Sequence, residues 1–154
     1  DPRLATAGSP PFGANGLAFD PAERWLYVAN TGDDAVLRIP VRADGSAGDV
    51  EVFASGSDPG AEAGALDGAD GIAFDVAGNL WVCANQANEV QVLSPAGALV
   101  ARHRGAGSAA LDFPASLAFD GRTLYLTNLS LATGGVNSKL STMGTPLPGA
   151  PVVR

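Results

Sequence analysis

A seven-residue phrase recurs along this chain, and it limits the fold more than any single residue does. Residues 14–20 read Ala-Asn-Gly-Leu-Ala-Phe-Asp, and residues 69–75 read Ala-Asp-Gly-Ile-Ala-Phe-Asp. Residues 115–120 read Ala-Ser-Leu-Ala-Phe-Asp, without the Gly. After a short polar turn, each copy leads into an apolar run with one aromatic residue: Leu26-Tyr27-Val28-Ala29, Leu80-Trp81-Val82-Cys83 and Leu124-Tyr125-Leu126-Thr127. Phe19, Phe74 and Phe119 mark spacings of 55 and 45 residues. Repetition at that period in a strand-rich chain predicts a β-propeller, one blade per copy. Three blades do not close a ring, so the chain is expected to be part of a larger object.

Each unit fits four antiparallel strands joined by short turns, which is one blade. In Ala35-Val36-Leu37-Arg38-Ile39-Pro40 alternate side chains fall on opposite faces, a strand-like period of two. Val90-Gln91-Val92-Leu93 takes the same place in the second unit. The expected fold is all-β, with about three four-stranded blades at residues 11–54, 66–102 and 112–145. Residues 146–154 form a Pro-rich tail unsuited to a regular central strand, because Pro donates no ladder hydrogen bond. The longest connection, from Ala54 to Ala69, fits either a functional loop or a solvated crossover between blades.

Composition narrows the function classes. Of the 154 residues, 46% are hydrophobic and 16% charged, enough apolar matter for a core. A net charge of −7 repels polyanions, so no nucleic-acid partner is expected, while cations are favoured. No apolar run approaches the ~18 residues of a membrane span, so no membrane partner is expected. Cys83 is the one cysteine and lies in an apolar strand, which reads as a buried structural thiol. The chain begins Asp1-Pro2 without a Met, which reads as a processed start or a segment of a longer protein.

Asn15 and Asp70 are the leading candidates for chemistry. Each precedes a Gly at the head of the first strand of its blade. First strands line the channel of a propeller, so equivalent positions in adjacent blades would aim an amide oxygen and a carboxylate at one axial space. Hard divalent cations take such oxygen ligands. Asn-Gly and Asp-Gly are equally common hairpin-turn pairs, and the glycines would then serve tight turns. Asp67 reads as a residue supporting Asp70 or as a plain turn residue in Asp67-Gly68. Ser116 holds the third motif position and reads as rim. Asp20, Asp75 and Asp120 recur and read as turn caps, while Tyr27, Trp81 and Tyr125 read as blade packing. His103, between Arg102 and Arg104, reads as part of a solvated basic turn.

The phrase Ala14-Asn15-Gly16-Leu17-Ala18-Phe19-Asp20-Pro21 followed by Leu26-Tyr27-Val28-Ala29-Asn30 resembles the gluconolactonase, senescence marker protein and luciferin-regenerating enzyme family. So does Asp70-Gly71-Ile72-Ala73-Phe74-Asp75 followed by Gly78-Asn79-Leu80-Trp81-Val82. The resemblance covers about residues 11–128 and suits the C-terminal half of such a ring. It implies a six-bladed propeller with a divalent metal (calcium, zinc, magnesium or manganese) in the channel, held by a Glu from the first blade, an Asn before Gly and an Asp before Gly. Asn15 and Asp70 match the last two, and Asp70 would also be the catalytic general base that opens a small lactone or ester. The Glu belongs to a part of the fold that this chain lacks, and Ser116 removes a strong ligand from the third repeat. The partners implied are a small-molecule substrate and either the missing half of the propeller or a second copy of this chain. NHL-repeat and strictosidine synthase-like propellers share the cadence, so a non-catalytic propeller binding a partner at its channel mouth is the alternative.

Overall fold

The computed structural model describes residues 1–107 and 110–151. Three antiparallel sheets follow one another along the chain. The first runs β1 (Ala14–Phe19), β2 (Trp25–Asn30), β3 (Ala35–Pro40) and β4 (Glu51–Ser55), in that spatial order. The second repeats it with β5 (Ala69–Phe74), β6 (Leu80–Ala84), β7 (Glu89–Leu93) and β8 (Leu99–His103). The third holds β9 (Pro114–Asp120), β10 (Thr123–Asn128) and β11 (Lys139–Gly144). Each is a propeller blade, and the inner strands β1, β5 and β9 lie side by side. No helix among the described residues is long and apolar enough to cross a membrane.

The third blade has three strands among the described residues, which corrects the expectation of four. After β11 the chain leaves the sheet and tucks under the junction of blades 2 and 3. There Val76 N donates to Pro148 O at 3.0 Å, Ala150 N to Phe74 O at 2.8 Å, and Gly149 N to Gly121 O at 2.9 Å. Three prolines in 146–151 remove the donors that a ladder needs, so the tail makes isolated bonds instead. Residues 152–154 of that tail lie outside the described residues.

The core lies between blades. Tyr27 packs edge-on against Phe53 and Phe74, each at 4.9 Å between centroids, amid Val36, Leu66, Leu80 and Leu93. Trp81 plays the same part at the next junction, against Phe119, Leu117, Leu124 and Leu126. Burying one such side chain is worth about 1.5–3 kcal/mol. Two of the three recurring aspartates cap turns, whereas Asp120 ends β9 exposed and its side chain accepts no hydrogen bond among the described residues. Asp20 Oδ1 accepts from the backbone N of Arg24 and Trp25. Buried Asp75 accepts from the backbone N of Ala77 and Asn79, from Asn79 Nδ2 and from Trp81 Nε1.

Both ends of the arc leave apolar side chains uncovered, although on the outer face of blade 1 Val28, Leu37, Ile39 and Val50 are buried with Leu4 and Leu26 packed against them. Leu17, Ile72 and Leu117 share one register place but are 61%, 6% and 9% exposed. Tyr27, Trp81 and Tyr125 share another and are 7%, 2% and 38% exposed. Tyr125 therefore has the packing position without the packing, because among the described residues no further blade covers blade 3. His103 also differs from expectation: it ends β8, is half-buried and stacks on Trp81 at 5.4 Å. Burial holds its pKa below the ordinary histidine value.

Candidate functional site at the inner strands

Neither Asn15-Gly16 nor Asp70-Gly71 is a hairpin turn. Both sit inside inner strands, at bulges. Between the pairs Ala14–Asn30 and Leu17–Val28, β1 spends one residue more than β2. Between Ala69–Ala84 and Ile72–Val82, β5 does the same against β6. Blade 3 repeats the irregularity at Ala115, between Pro114–Asn128 and Ser116–Thr127. A bulge re-aims the side chains at it and is common beside functional sites.

The two glycines serve close approach, which corrects the reading of a tight turn. A Cβ on Gly16 would collide with the carbonyl oxygen of Asp70, in the next blade. A Cβ on Gly71 would lie 2.6 Å from Ser116 Cα and 2.8 Å from Ala115 O, in the blade after that. Each bulge thus abuts its neighbour, so Asn15 and Asp70 occupy successive positions along the inner strands. By register Ala115 holds the third such place and Ser116 that of the glycines, which corrects the expectation that Ser116 fills the motif position. Asn15 and Ser116 are exposed, and Asp70 is half-buried.

Hydrogen bonds fix the first two. Asn15 Nδ2 donates to Thr31 Oγ1 at 3.1 Å, and Thr31 Oγ1 donates to the carbonyl oxygen of Ala69 at 2.8 Å. One buried hydroxyl therefore ties the motif of blade 1 to the residue preceding Asp70. In blade 2, Asn85 Nδ2 donates to Asp70 Oδ2 at 3.1 Å. Among the described residues, Asn15 Oδ1 and Asp70 Oδ1 take no hydrogen bond. Burial raises the Asp70 pKa above the ordinary carboxylate value, and the Asn85 bond opposes it in part. Cys83, opposite the Asp70 bulge, is fully buried, and burial together with the Asp70 charge pushes its thiol up. It is a structural thiol.

Asp67 lies one turn upstream. Its pKa is raised by burial and by the charges of Asp34 and Glu89. Gly68 follows at φ +70° and bonds Asp34 Oδ1 through its N–H, so the Asp67-Gly68 turn is real. The long loop before it is clamped from below: Gln91 Oε1 accepts from Leu66 N, Gln91 Nε2 donates to Gly64 O, and Arg102 donates to Ala63 O. Buried Glu89 joins this clamp by pairing with Arg102 and Arg104.

The free oxygens of Asn15 and Asp70 suit a hard cation in chemical kind. They do not suffice alone, since such ions take six or more oxygens, and among the described residues no three His, Cys, Asp or Glu side chains gather in reach of one ion. The supporting residues Thr31 and Asn85 escape a reading of the sequence because both look like turn residues. The signal is the β-pairing itself, since each lies one step beyond the strand that faces its motif.

Known proteins agree with this architecture. The SMP-30/Gluconolactonase/LRE-like family profile matches residues 7–130. A 6-deoxy-6-sulfogluconolactonase from Pseudomonas putida is 35% identical over 121 residues, covering 75% of this chain and 38% of that protein. A luciferin-regenerating enzyme superposes with a TM-score of 0.69 at 22% identity, covering 92% of this chain and 50% of its own. A calcium-binding protein, regucalcin, from Agrobacterium tumefaciens superposes with a TM-score of 0.63 at 21% identity, covering 90% and 47%. The chain thus spans half or less of the length of these relatives. It belongs to the SMP-30/gluconolactonase/LRE-like family and has that family's propeller-type blades.

Proposed function

We propose that this chain is half of a six-bladed ring, and that the ring hydrolyses a small lactone with a divalent cation at its channel mouth. Asn15 Oδ1 and Asp70 Oδ1 are two of the cation's ligands. The observation that carries this reading is the Thr31 tie, which locks the motifs of adjacent blades together while leaving one oxygen of each unpaired. The lactonase relative from Pseudomonas putida supports the substrate class. The bare faces at Leu17 and Tyr125 support completion of the ring, by the missing half or by a second copy of the chain. Asp67 and Ser116 lie at the rim.

A cation bound here supplies positive charge that polarises a carbonyl and acidifies water. Asp70 acts as general base. The Asp70 carboxylate takes a proton from water as the water oxygen bonds to the lactone carbonyl carbon. The ring C–O bond then breaks, the proton passes to the leaving alkoxide, and a hydroxy acid results. Burial keeps Asp70 more basic than an exposed carboxylate, which suits that task. Asn15 carries no proton in the reaction and holds position only.

Calorimetric titration with calcium, zinc, magnesium and manganese tests the site. The parent is expected to bind at least one of them, and Asn15→Ala and Asp70→Ala to lose most of that affinity. Variants that bind as the parent does would refute the metal site. Cation binding without lactone hydrolysis by the completed ring would favour the non-catalytic propeller.

A further inference from the structure

Thr31 has one proton, and the structure shows where it goes. Its Oγ1 donates to the Ala69 carbonyl oxygen at 2.8 Å, which has no proton to give back. Toward Asn15 the hydroxyl can then only accept. The Asn15 amide must present Nδ2 to it, as it does at 3.1 Å, because the reverse orientation would set two acceptor oxygens face to face. The amide oxygen is thereby turned to the other side. Thr31 is fully buried, so water does not compete for its bond to Ala69, while the bond to the exposed Asn15 is part-buried.

Asn85 holds the matching place in blade 2, one residue beyond the partner of the strand's first residue. Its Nδ2 serves Asp70 Oδ2 at 3.1 Å, while its own Oδ1 is buried with no hydrogen-bond partner. Gly68 leaves room for that oxygen, as any Cβ there would strike it. The amide is thus oriented to serve Asp70 and not to satisfy itself. Blade 3 puts Leu129 at the equivalent place and Ala115 at the place of Asn15 and Asp70, so the support is absent where the ligand is absent.

We propose that Thr31 and Asn85 are positioning residues that select which atom of each motif side chain is offered to the axis: Thr31 makes Asn15 present oxygen instead of nitrogen, and Asn85 engages Asp70 Oδ2 so that Oδ1 is presented. This deepens the cation-site reading and rests on it for its purpose, but the orientation of Asn15 is testable without any cation.

The test uses the whole chain. In the parent, nuclear Overhauser contacts are expected between the Asn15 side-chain NH2 protons and the Thr31 methyl group. Thr31→Val removes both hydrogen bonds at nearly constant shape and is expected to abolish the preferred orientation, whereas Thr31→Ser restores it. In calcium or manganese titration, Thr31→Val and Asn85→Leu are expected to weaken binding by about tenfold or more, the range typical of residues that orient a metal ligand. Thr31→Ser is expected to stay within about threefold of the parent, which a general packing defect would not predict. Absence of the Asn15–Thr31 contact in the parent overturns the proposal, even if Thr31→Val fails to fold. An unchanged orientation in Thr31→Val overturns it too. If the parent binds no cation, the cation-site reading fails, and the magnetic resonance result still decides the role of Thr31.

Discussion

Blades 2 and 3 share a backbone plan and differ in what that plan presents. Each opens with a bulged inner strand, turns tightly, and returns through a second strand, which is buried throughout in blade 2 and alternates in burial in blade 3. At the bulge blade 2 carries Asp70, backed by Asn85, where blade 3 carries Ala115 and Leu129. The bulge persists in blade 3 with Ser116 at the place of Gly71, so the backbone irregularity belongs to the repeat and the chemistry belongs to two side-chain positions. Among the described residues no further blade packs on blade 3, and its Tyr125 face stands open where the Trp81 face is closed. Chemistry and packing are therefore both denser at the junctions around blade 2.

The largest effect is expected where blade 2 meets blade 3. Gly71→Val would drive a side chain into the backbone of Ala115 and Ser116 and should cost about 3 kcal/mol or more in denaturant unfolding. Gly144→Ala, with open space around it in blade 3, is the control and should shift stability little. A Gly71→Val protein as stable as the parent would mean that the blades do not touch as described.

The capping aspartates rank next. Asp75→Ala strips four donors of their acceptor, the buried Trp81 indole among them, and is expected to cost about 3 kcal/mol. Asp20→Ala loses two bonds near the surface and should cost about 1 kcal/mol. Asp120→Ala, at the exposed end of β9 and with no capping bond to lose, should have the smallest effect of the three. Equal shifts in thermal unfolding would show that the three blades are equally dependent on the cap.

The smallest effect concerns pH. Burial raises the folded-state pKa of Asp70, so the folded chain holds that proton more tightly than the unfolded one does. The carboxylate thus favours folding at low pH, and this contribution is lost as pH rises from about 4, the unfolded value, through the raised folded value. Without added cation, Asp70→Asn is expected to be slightly more stable than the parent at pH 7, with the advantage shrinking as pH falls from the raised folded value toward about 4. An advantage that grows as pH falls would contradict the burial of Asp70.

The sequence exposed the repeat and hid the register. Phe19, Phe74 and Phe119 announce three blades because they hold one strand position, where Phe74 and Phe119 fill the gaps between blades and Phe19 faces the open side of blade 1. Asn15 and Asp70 stand out because polar residues before Gly are conspicuous at the head of apolar strands. The use of those glycines was not legible, since close approach between blades depends on tertiary neighbours that sequence spacing does not name. Thr31 and Asn85 were hidden for the same reason: a cross-strand bond over a bulge joins residues 16 and 15 positions apart, among polar neighbours that all resemble turns. The missing fourth strand of blade 3 was foreshadowed by the prolines after Gly144, which interrupt any ladder.

The central claim is that Asn15 and Asp70 act on one ion. A double-mutant cycle measured by manganese titration, with Asn15→Ala, Asp70→Ala and the pair, tests it most directly. The account predicts that either single variant removes most of the affinity and that the pair loses little more. Losses that simply add, or a double variant that still binds like the parent, would place the two residues in separate roles and contradict it.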